Sequence, residues 1–434
     1  MPPTPERLCV VVLGGGTVGA QVVRLLQSQA ADLAARAGAV LVVTGVAVRD
    51  TGRPRPGIAP ELLSSDIDAL LASGPDIVVE LMGGIEPARG AILQALRAGA
   101  SVVTANKALI ATHGPELHAA ARDAGVDLYY EAAVAGAIPL LRPLRESLAG
   151  DRIRRILGIV NGTTNYILTQ MDAGGASFAD ALAQAQSLGY AEADPTADVE
   201  GLDAAAKAAI LASLAFHTRV TLADVSAAGI TAITPADVAA ARDMGMVIKL
   251  LAVAELIGDD TTAGVCVRVH PAMLPRTHPL AGVRDAFNAV FIEADAAGQV
   301  MFYGRGAGGT PTASAVLGDI VTVARNRVAG TTGPGESSYA DLPVLPLGAA
   351  TTAYSINLRV VDQPGVLATV ARVFADHGVS ILSMQQKGQG DEAQLLMRTH
   401  LGLEADLAAT VAGLRELPVV REVLGVMRVV GEGE

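Results

Sequence analysis

The chain has no tryptophan, only 2 cysteines among 434 residues, and an aromatic content of 3%. Two cysteines cannot build a disulfide framework, and Cys9 and Cys266 lack metal-ligand spacing, so both read as small core residues. No uninterrupted apolar run reaches the roughly 18 residues that span a bilayer, which argues against a membrane helix. A secretory signal is not expected either, because Met1 to Arg7 is proline-rich with Glu6 and the apolar run after it enters a glycine-rich turn. Positive charge is in deficit: Lys and Arg total 32 against 44 Asp and Glu, a net charge of -12. That balance disfavours non-specific contact with nucleic acid or anionic membrane, leaving small molecules as the expected partners and the cytoplasm as the expected compartment. What the chain does have is a 51% hydrophobic share, drawn from Ala and Val, and 47 glycines. This suits helices and parallel strands, with length for two or three cores.

Leu8 to Leu13 is a short apolar run of strand type, followed at once by Gly14-Gly15-Gly16-Thr17-Val18-Gly19 and a helical pattern through Val22, Val23, Leu25 and Leu26. Glycines at 14, 16 and 19 fit G-x-G-x-x-G, in which they permit a tight turn and close approach of backbone to a pyrophosphate, while the helix N-terminus supplies positive potential. Further strand runs at 39–48, 76–81, 101–104 and 127–130 alternate with helical stretches, which predicts a doubly wound parallel α/β sheet. After the second strand come Arg49 and Asp50. An arginine here suits the 2′-phosphate of NADP, which is therefore favoured, and the neighbouring acid leaves NAD open. Thr104-Ala105-Asn106-Lys107 closes a later strand, where ligands of open α/β sheets bind, and Lys107 is placed to reach a carboxylate or phosphate.

The middle of the chain turns on Gly189 to Lys207, an acidic loop broken by Pro195 and Gly201 that runs into a helix from Ala204 to Phe216 with Lys207 as its one charge. A helix apolar on every face belongs in a core. Asp203 and Lys207 are four apart and share one face, so they are either an ordinary helix salt pair or a functional one. A lysine in such surroundings is expensive to bury unless paired. Before this loop, Glu131 to Pro139 is small-residue loop, and a helix is expected around Leu141 to Leu148. A strand at 153–160 then feeds Asn161-Gly162-Thr163-Thr164-Asn165-Tyr166, whose hydroxyls and amides can cap a helix or hold a polar substrate. Later, Tyr303 to Thr312 is a second glycine-rich loop opening a helix at 313–327, which is expected to pack back on the dinucleotide domain.

These motifs, in this order, resemble homoserine dehydrogenase: the first glycine-rich turn, Ala105 to Leu109, Asn161 to Leu168, Gly189 to Pro195, Asp198 to Lys207, and Gly304 to Thr312. The resemblance covers residues 8 to about 330. It implies reversible NAD(P)H-dependent reduction of L-aspartate 4-semialdehyde to L-homoserine, on the route to threonine, methionine and isoleucine. It further implies Lys207 as proton donor, Asp203 and Glu192 holding the amino-acid end of the substrate, Lys107 contacting substrate and cofactor, and Asp198 and Thr163 shaping the polar site. Cofactor contacts would come from Gly14, Gly16, Thr17, Val18, Gly19, Arg49, Thr104, Lys107, Gly189, Gly306 and Gly308. A structural sodium ion is implied at Glu131 and the carbonyls of Val134, Gly136 and Ile138.

Residues 331–350 are rich in Gly, Pro, Ser and Thr and read as a linker. Beyond them, alternating Tyr354, Ile356, Leu358 and Val360, a turn at Asp362-Gln363-Pro364-Gly365 and an amphipathic helix begin a βαββαβ pattern that resembles an ACT domain. Such domains pair their sheets and bind amino acids at that loop, which implies Asp362, Gly365 and Val366 as effector contacts, threonine as effector, and a homodimer or homotetramer. The expected organisation is a Rossmann-type domain over 1–137, an α+β substrate and dimerisation domain over 138–310, a returning helix over 311–330, the linker, and a ferredoxin-like ACT domain over 351–434. Two other classes compete. An acylating semialdehyde dehydrogenase would need a nucleophilic cysteine, for which neither Cys9 nor Cys266 is suited. A non-enzymatic NAD(P)-sensing regulator with an amino-acid-binding tail fits both end domains but leaves Lys207 unexplained.

Overall fold

The computed structural model describes residues 6–259, 262–388 and 393–431. Residues 1–5, on which part of the reading of the N-terminus rests, lie outside them. In chain order the first elements are β1 (Glu6–Leu13), α1 (Thr17–Ser28), α2 (Ala30–Ala37), β2 (Ala39–Ala47), β3 (Leu63–Ser64), α3 (Ile67–Ala72), β4 (Ile77–Glu80), α4 (Ala88–Arg97), β5 (Ser101–Thr104), α5 (Lys107–Ala124) and β6 (Leu128–Tyr129). There follow β7 (Ile153–Ile159), α6 (Gly162–Gly174), α7 (Phe178–Ser187), α8 (Thr196–Val199), α9 (Leu202–Ala215), β8 (Ser226–Ala227), α10 (Pro235–Asp243), β9 (Met246–Ile257), β10 (Gly264–Pro275), β11 (Phe287–Ala294), β12 (Gly298–Arg305) and α11 (Gly309–Ala329). The last are β13 (Thr351–Val360), α12 (Val366–Asp376), β14 (Ile381–Lys387), β15 (Gln394–Thr399), β16 (Gly402–Leu403), α13 (Glu404–Arg415) and β17 (Val420–Val429).

The chain divides into two compact units, Met1–Arg154 with Ala209–Ala223 and Asn288–Leu342, and Arg155–Ala208 with Asp224–Phe287 and Pro343–Glu434. In the first, six strands lie in the order β3-β2-β1-β4-β5-β6, all parallel. Val10 to Leu13 are buried on both faces, as helices covering both sides of a parallel sheet require. The strand order reverses between β1 and β4, and the turn after β1 opens there, at the switch point where such sheets bind ligands. The returning helix α11 packs as expected: its Ala313, Val316, Ile320 and Val323 share a core with Val10, Val12, Val22, Val23 and Leu26. The helix expected around 141–148 forms over 141–147, opening as α and widening to π over Pro143–Ser147. The Leu148 N–H reaches back to the Pro143 carbonyl, and a proline at the start donates nothing that would tighten the coil.

The second unit is built on a mixed sheet in which β7, β9, β10, β17, β13, β15 and β14 are successive neighbours. β9 and β10 pair antiparallel over their whole length, from Gly264 opposite Ile257 to Pro275 opposite Met246. The ACT segment shows the βαββαβ order and keeps its own core of Tyr354, Ile356, Leu358, Val370, Phe374, Leu395, Met397, Leu407 and Leu414. It does not hang from a free linker. β17 lies parallel to β10, with Ala272 opposite Arg428 and Met273 opposite Val429, and the Val430 N–H bonds the Met273 carbonyl. The expected separation at 350 is therefore replaced by one unit joining the ACT segment to the α6–β10 region. The linker is itself tied down. Gly333 N–H donates to Asp127 at 2.8 Å, Glu336 pairs with Arg219 at 2.9 Å, Ser337 bonds His217 at 2.9 Å, and the Leu342 carbonyl accepts from Thr218 at 3.0 Å. Its polar residues are bound in place, where their composition suggested mobility.

Candidate functional site

The glycine-rich turn owes its shape to two close approaches. Gly14 has φ of 115°, and a Cβ on it would stand 2.7 Å from the Leu81 carbonyl; a Cβ on Gly19 would stand 1.9 Å from the Gly14 oxygen. Gly16 is different, for nothing lies within 4 Å of where its Cβ would be. α1 starts at Thr17 with no acidic residue in its first turn, so its positive end faces an open space. That space is a cavity of about 970 Å³ lined by Gly14 to Thr17, Val48, Arg49, Arg53 and Arg55 among others. Arg49 is exposed beyond the end of β2. Arg55 was not singled out from sequence; it donates to the Gly15 carbonyl at 3.0 Å. Beside this turn, Gly308 has φ of 119° and caps α11, and a Cβ on Gly309 would touch Thr17 at 3.0 Å. Gly306 has no room for a side chain, since its Cβ would fall 2.0 Å from the Asn288 amide.

Lys107 is the first residue of α5 and half-buried. Its position is fixed by a network that the sequence did not reveal. Glu80, 0% exposed at the end of β4, accepts from the Thr104 hydroxyl at 2.6 Å and from the Met82 and Gly83 N–H groups at 2.7 and 3.0 Å. Asn106 caps α5 through the Leu109 N–H at 3.2 Å and donates to the Gly84 carbonyl at 2.6 Å. One buried carboxylate thus sets the strand ends and the loop beside them.

In the second unit the structure gathers four of the polar residues singled out from sequence. The Lys207 ammonium donates to Asp203 at 2.7 Å and to the Val160 carbonyl at 2.6 Å. Lys207 is 8% exposed on α9, flanked by Ala204 to Ala206 and Ala208 to Ile210, all buried. The Asn161 amide donates to Asp198 at 2.7 Å and Asp203 at 2.9 Å. Thr163 is also buried, and its hydroxyl donates to the Tyr190 carbonyl at 2.7 Å, anchoring the acidic loop on α6 while its lone pairs remain for another donor. Glu192 is not drawn into this cluster: it is exposed, and its carbonyl accepts from Gln186 at 3.0 Å. Gly189 turns the same loop with φ of 74°.

The loop implied to hold sodium is buried, with Ala135 and Gly136 at left-handed φ of 57° and 53°. A Cβ on Gly136 would come 2.4 Å from the Gly306 oxygen. The Glu131 carboxylate accepts from the N–H groups of Leu140 at 2.5 Å, Leu141 at 2.8 Å and Arg142 at 2.9 Å, so its lone pairs are largely occupied. Among the described residues no group of three or more His, Cys, Asp or Glu gathers around a metal position, so a cation here would depend on main-chain oxygens. Burial and the neighbouring Glu131 push the Asp319 carboxyl up to about 7. Arg142 lies 3.4 Å from Glu131 and 3.5 Å from Asp319, and the residues that could hold a hard cation in this loop are Val134, Gly136 and Ile138, through their carbonyls.

In the ACT segment, Asp362 and Gly365 are exposed on the turn after β13, Gly365 takes φ of 89°, and Val366 begins α12 with 7% exposure. The thiols offer no nucleophile of the acylating kind. Cys9 lies within β1, and burial pushes the buried Cys266 thiol up.

Comparison with known proteins gives three family matches: homoserine dehydrogenase over residues 139–321, the homoserine dehydrogenase NAD-binding domain over 14–131, and the ACT domain over 354–419. A homoserine dehydrogenase of Mycobacterium tuberculosis is 56% identical over 441 aligned positions, covering 100% of both chains. The crystal structure of a homoserine dehydrogenase from Thiobacillus denitrificans superposes with a TM-score of 0.92 at 40% identity, covering 98% of each chain. A hyperthermophilic archaeal homoserine dehydrogenase in complex with NADPH covers 76% of this chain and 100% of its own, with a TM-score of 0.63 and 28% identity.

Proposed function

The chain belongs to the homoserine dehydrogenases, and from that premise we propose how its residues carry the reaction and which cofactor, cation and effector they take. It is an NAD(P)-dependent oxidoreductase of amino-acid biosynthesis that interconverts L-aspartate 4-semialdehyde and L-homoserine, with an ACT domain at its C-terminal end. The observation that carries the proposed roles is the buried ammonium of Lys207, held by one carboxylate and one carbonyl.

An ammonium has three N–H donors, and two are engaged. The third is left for the substrate's carbonyl oxygen. A bound dihydronicotinamide supplies the hydride. As negative charge develops on the carbonyl oxygen, Lys207 stabilises it and then gives up its proton; in homoserine oxidation the neutral amine takes the hydroxyl proton. Asp203 holds Lys207 and, with Asp198 and Glu192, offers negative charge to the substrate's ammonium, while Thr163 adds a hydroxyl contact and Lys107 is assigned to the cofactor.

NADP(H) is the proposed cofactor, with NAD(H) as a weaker alternative. Arg49, Arg53 and Arg55 line the cavity at the end of β2, where a 2′-phosphate would be met by guanidinium groups. The NADPH complex of the archaeal relative agrees with this choice. Sodium is proposed at the carbonyls of Val134, Gly136 and Ile138, with Glu131 supplying negative charge behind the loop. Threonine, an end product of the pathway, is the proposed effector at Asp362, Gly365 and Val366, in a homodimer or homotetramer of the cytoplasm. A sensor without turnover would have no use for the Asp203–Lys207 pair.

The test is initial-rate reduction of L-aspartate 4-semialdehyde with NADPH and NADH in parallel, with and without millimolar threonine, for the native chain, Arg49→Ala and Lys207→Ala. Lys207→Ala should lose on the order of 100-fold to 10,000-fold in kcat. Arg49→Ala should raise KM for NADPH and leave that for NADH unchanged. Equal use of both nucleotides by the native chain would end the NADP assignment, and native turnover in Lys207→Ala would end the proton-donor assignment.

A further inference from the structure

We propose that Asn161 is a positioning residue for the proton-transfer pair, its amide clamping Asp198 and Asp203 so that Lys207 presents one free N–H to the substrate. The inference rests on the reading of Lys207 and Asp203 given above. Asn161 is 5% exposed, between the end of β7 and the start of α6. Every hydrogen-bonding position of its side chain is used. The nitrogen donates to Asp198 at 2.7 Å and Asp203 at 2.9 Å; the oxygen accepts from the Thr164 N–H at 2.8 Å and from the Thr164 hydroxyl at 3.0 Å. The orientation of the amide follows from these partners: flipping it would set its oxygen against two carboxylates and its NH₂ group against a backbone N–H.

Capping α6 does not by itself call for an amide, because Ser and Asp cap helices about as well as Asn. Only an amide accepts from the helix start and donates twice on its other side. The second function matters because Asp203 also receives the Lys207 ammonium on Oδ2, at 2.7 Å. Without the amide, the oxygen that holds Lys207 loses the donor set beside it, and the carboxylate could turn to take another N–H of Lys207 or shift under repulsion from Asp198. Either movement would misplace the proton bound for the substrate oxygen, and a misplacement of about 1 Å costs on the order of 100-fold in rate. The helix start therefore passes its rigidity to Asp203, and through it to Lys207.

The experiment compares full-length N161S, N161D, T164V and K207A in semialdehyde reduction, with kcat, KM for NADPH and thermal melting recorded for each. Serine keeps the cap and removes the two amide donors, so N161S should lose on the order of 100-fold in kcat with KM for NADPH unchanged. T164V disturbs the cap side alone and should keep its kcat. N161D should lose at least as much as N161S, because its carboxylate caps equally but faces Asp198 and Asp203 with like charge. Unchanged kcat in folded N161S would overturn the proposal, as would a loss in T164V equal to that in N161S. If N161S does not fold, N161D is judged by the same criterion. K207A separates the two levels: if it turns over normally the proton-donor reading itself fails, whereas an inactive K207A beside a fully active N161S sinks only the role of Asn161.

Discussion

Lys249 is a second buried lysine, 2% exposed on β9, and its ammonium donates to Asn165 at 2.9 Å and to the Val283 carbonyl at 2.5 Å. Burial pulls it down to about 8 from 10.5, and the negative charges of Asp172 and Asp285 resist that shift. A base with a depressed folded value adds stability that is complete above the unfolded value and is lost as pH falls toward the folded one. Stability from this site should therefore rise between about pH 8 and 10.5, by at most about 3 kcal/mol at 1.36 kcal/mol per unit. Replacing the lysine with methionine removes the titration, so urea unfolding of the native chain and Lys249→Met at pH 7.5, 8.5 and 9.5 should show a gap that changes with pH in the native chain's favour. A gap constant across that range would refute the assignment. The contrast with Lys207 marks what could be read residue by residue. Asp203 and Lys207 declare themselves by helical spacing, because partner and residue share four positions of sequence. Lys249 stands out in Met246 to Leu251 only as an anomaly, since its partners lie 84 and 34 residues away. Asn161 was visible as a cap, but its carboxylate partners come from another part of the chain.

At the level of elements, the turn between β1 and α1 separates two uses of glycine. Gly19 is needed for packing, because a Cβ there would stand 1.9 Å from the Gly14 oxygen. Gly16 is not, having open space in that direction and φ of -78°, which alanine adopts without strain. Gly16→Ala should leave the melting temperature unchanged yet weaken NADPH binding, because the added methyl enters the space through which a pyrophosphate approaches. Gly19→Ala should lower stability by about 1–3 kcal/mol through overpacking and weaken binding as a consequence. Thermal melts with a fluorescence titration of NADPH decide: native affinity in Gly16→Ala would mean that the turn does not carry the pyrophosphate. Elements of this kind were legible because their signals are local. β5 has the bounds its apolar pattern gave, and the glycine-rich turn lies between strand and helix as its spacing required. The helix expected at 141–148 is present but widens to π from Pro143, and β9, twelve residues long and buried on both faces, offered no alternation to define it.

At the scale of the whole chain, the joining of the ACT segment to the preceding sheet changes how regulation should be tested. The pairing of β10 with β17 brings residues near 272 against residues near 428, a long-range register that no local pattern encodes. Glu404 on α13 adds to the join: its N–H bonds the Ala350 carbonyl, and its carboxylate takes the Tyr354 hydroxyl at 2.7 Å and pairs with Arg428. Truncation near 350 removes β17 and uncovers the edge of β10 at Ala272 and Met273, both now buried. An exposed apolar edge of that kind pairs with other chains. The truncated chain is thus expected to aggregate or melt early, and lost threonine inhibition in it would say nothing about an effector site. Asp362→Ala leaves the sheet intact. If the turn after β13 binds the effector's ammonium group, this variant should keep its basal kcat while the threonine concentration for half inhibition rises by about tenfold or more, as the loss of one charge-assisted contact predicts. Inhibition assays on the full-length variant and native chain in parallel supply the readout. Native sensitivity to threonine in Asp362→Ala would remove the turn from the effector site and leave the ACT segment as a structural extension of the sheet.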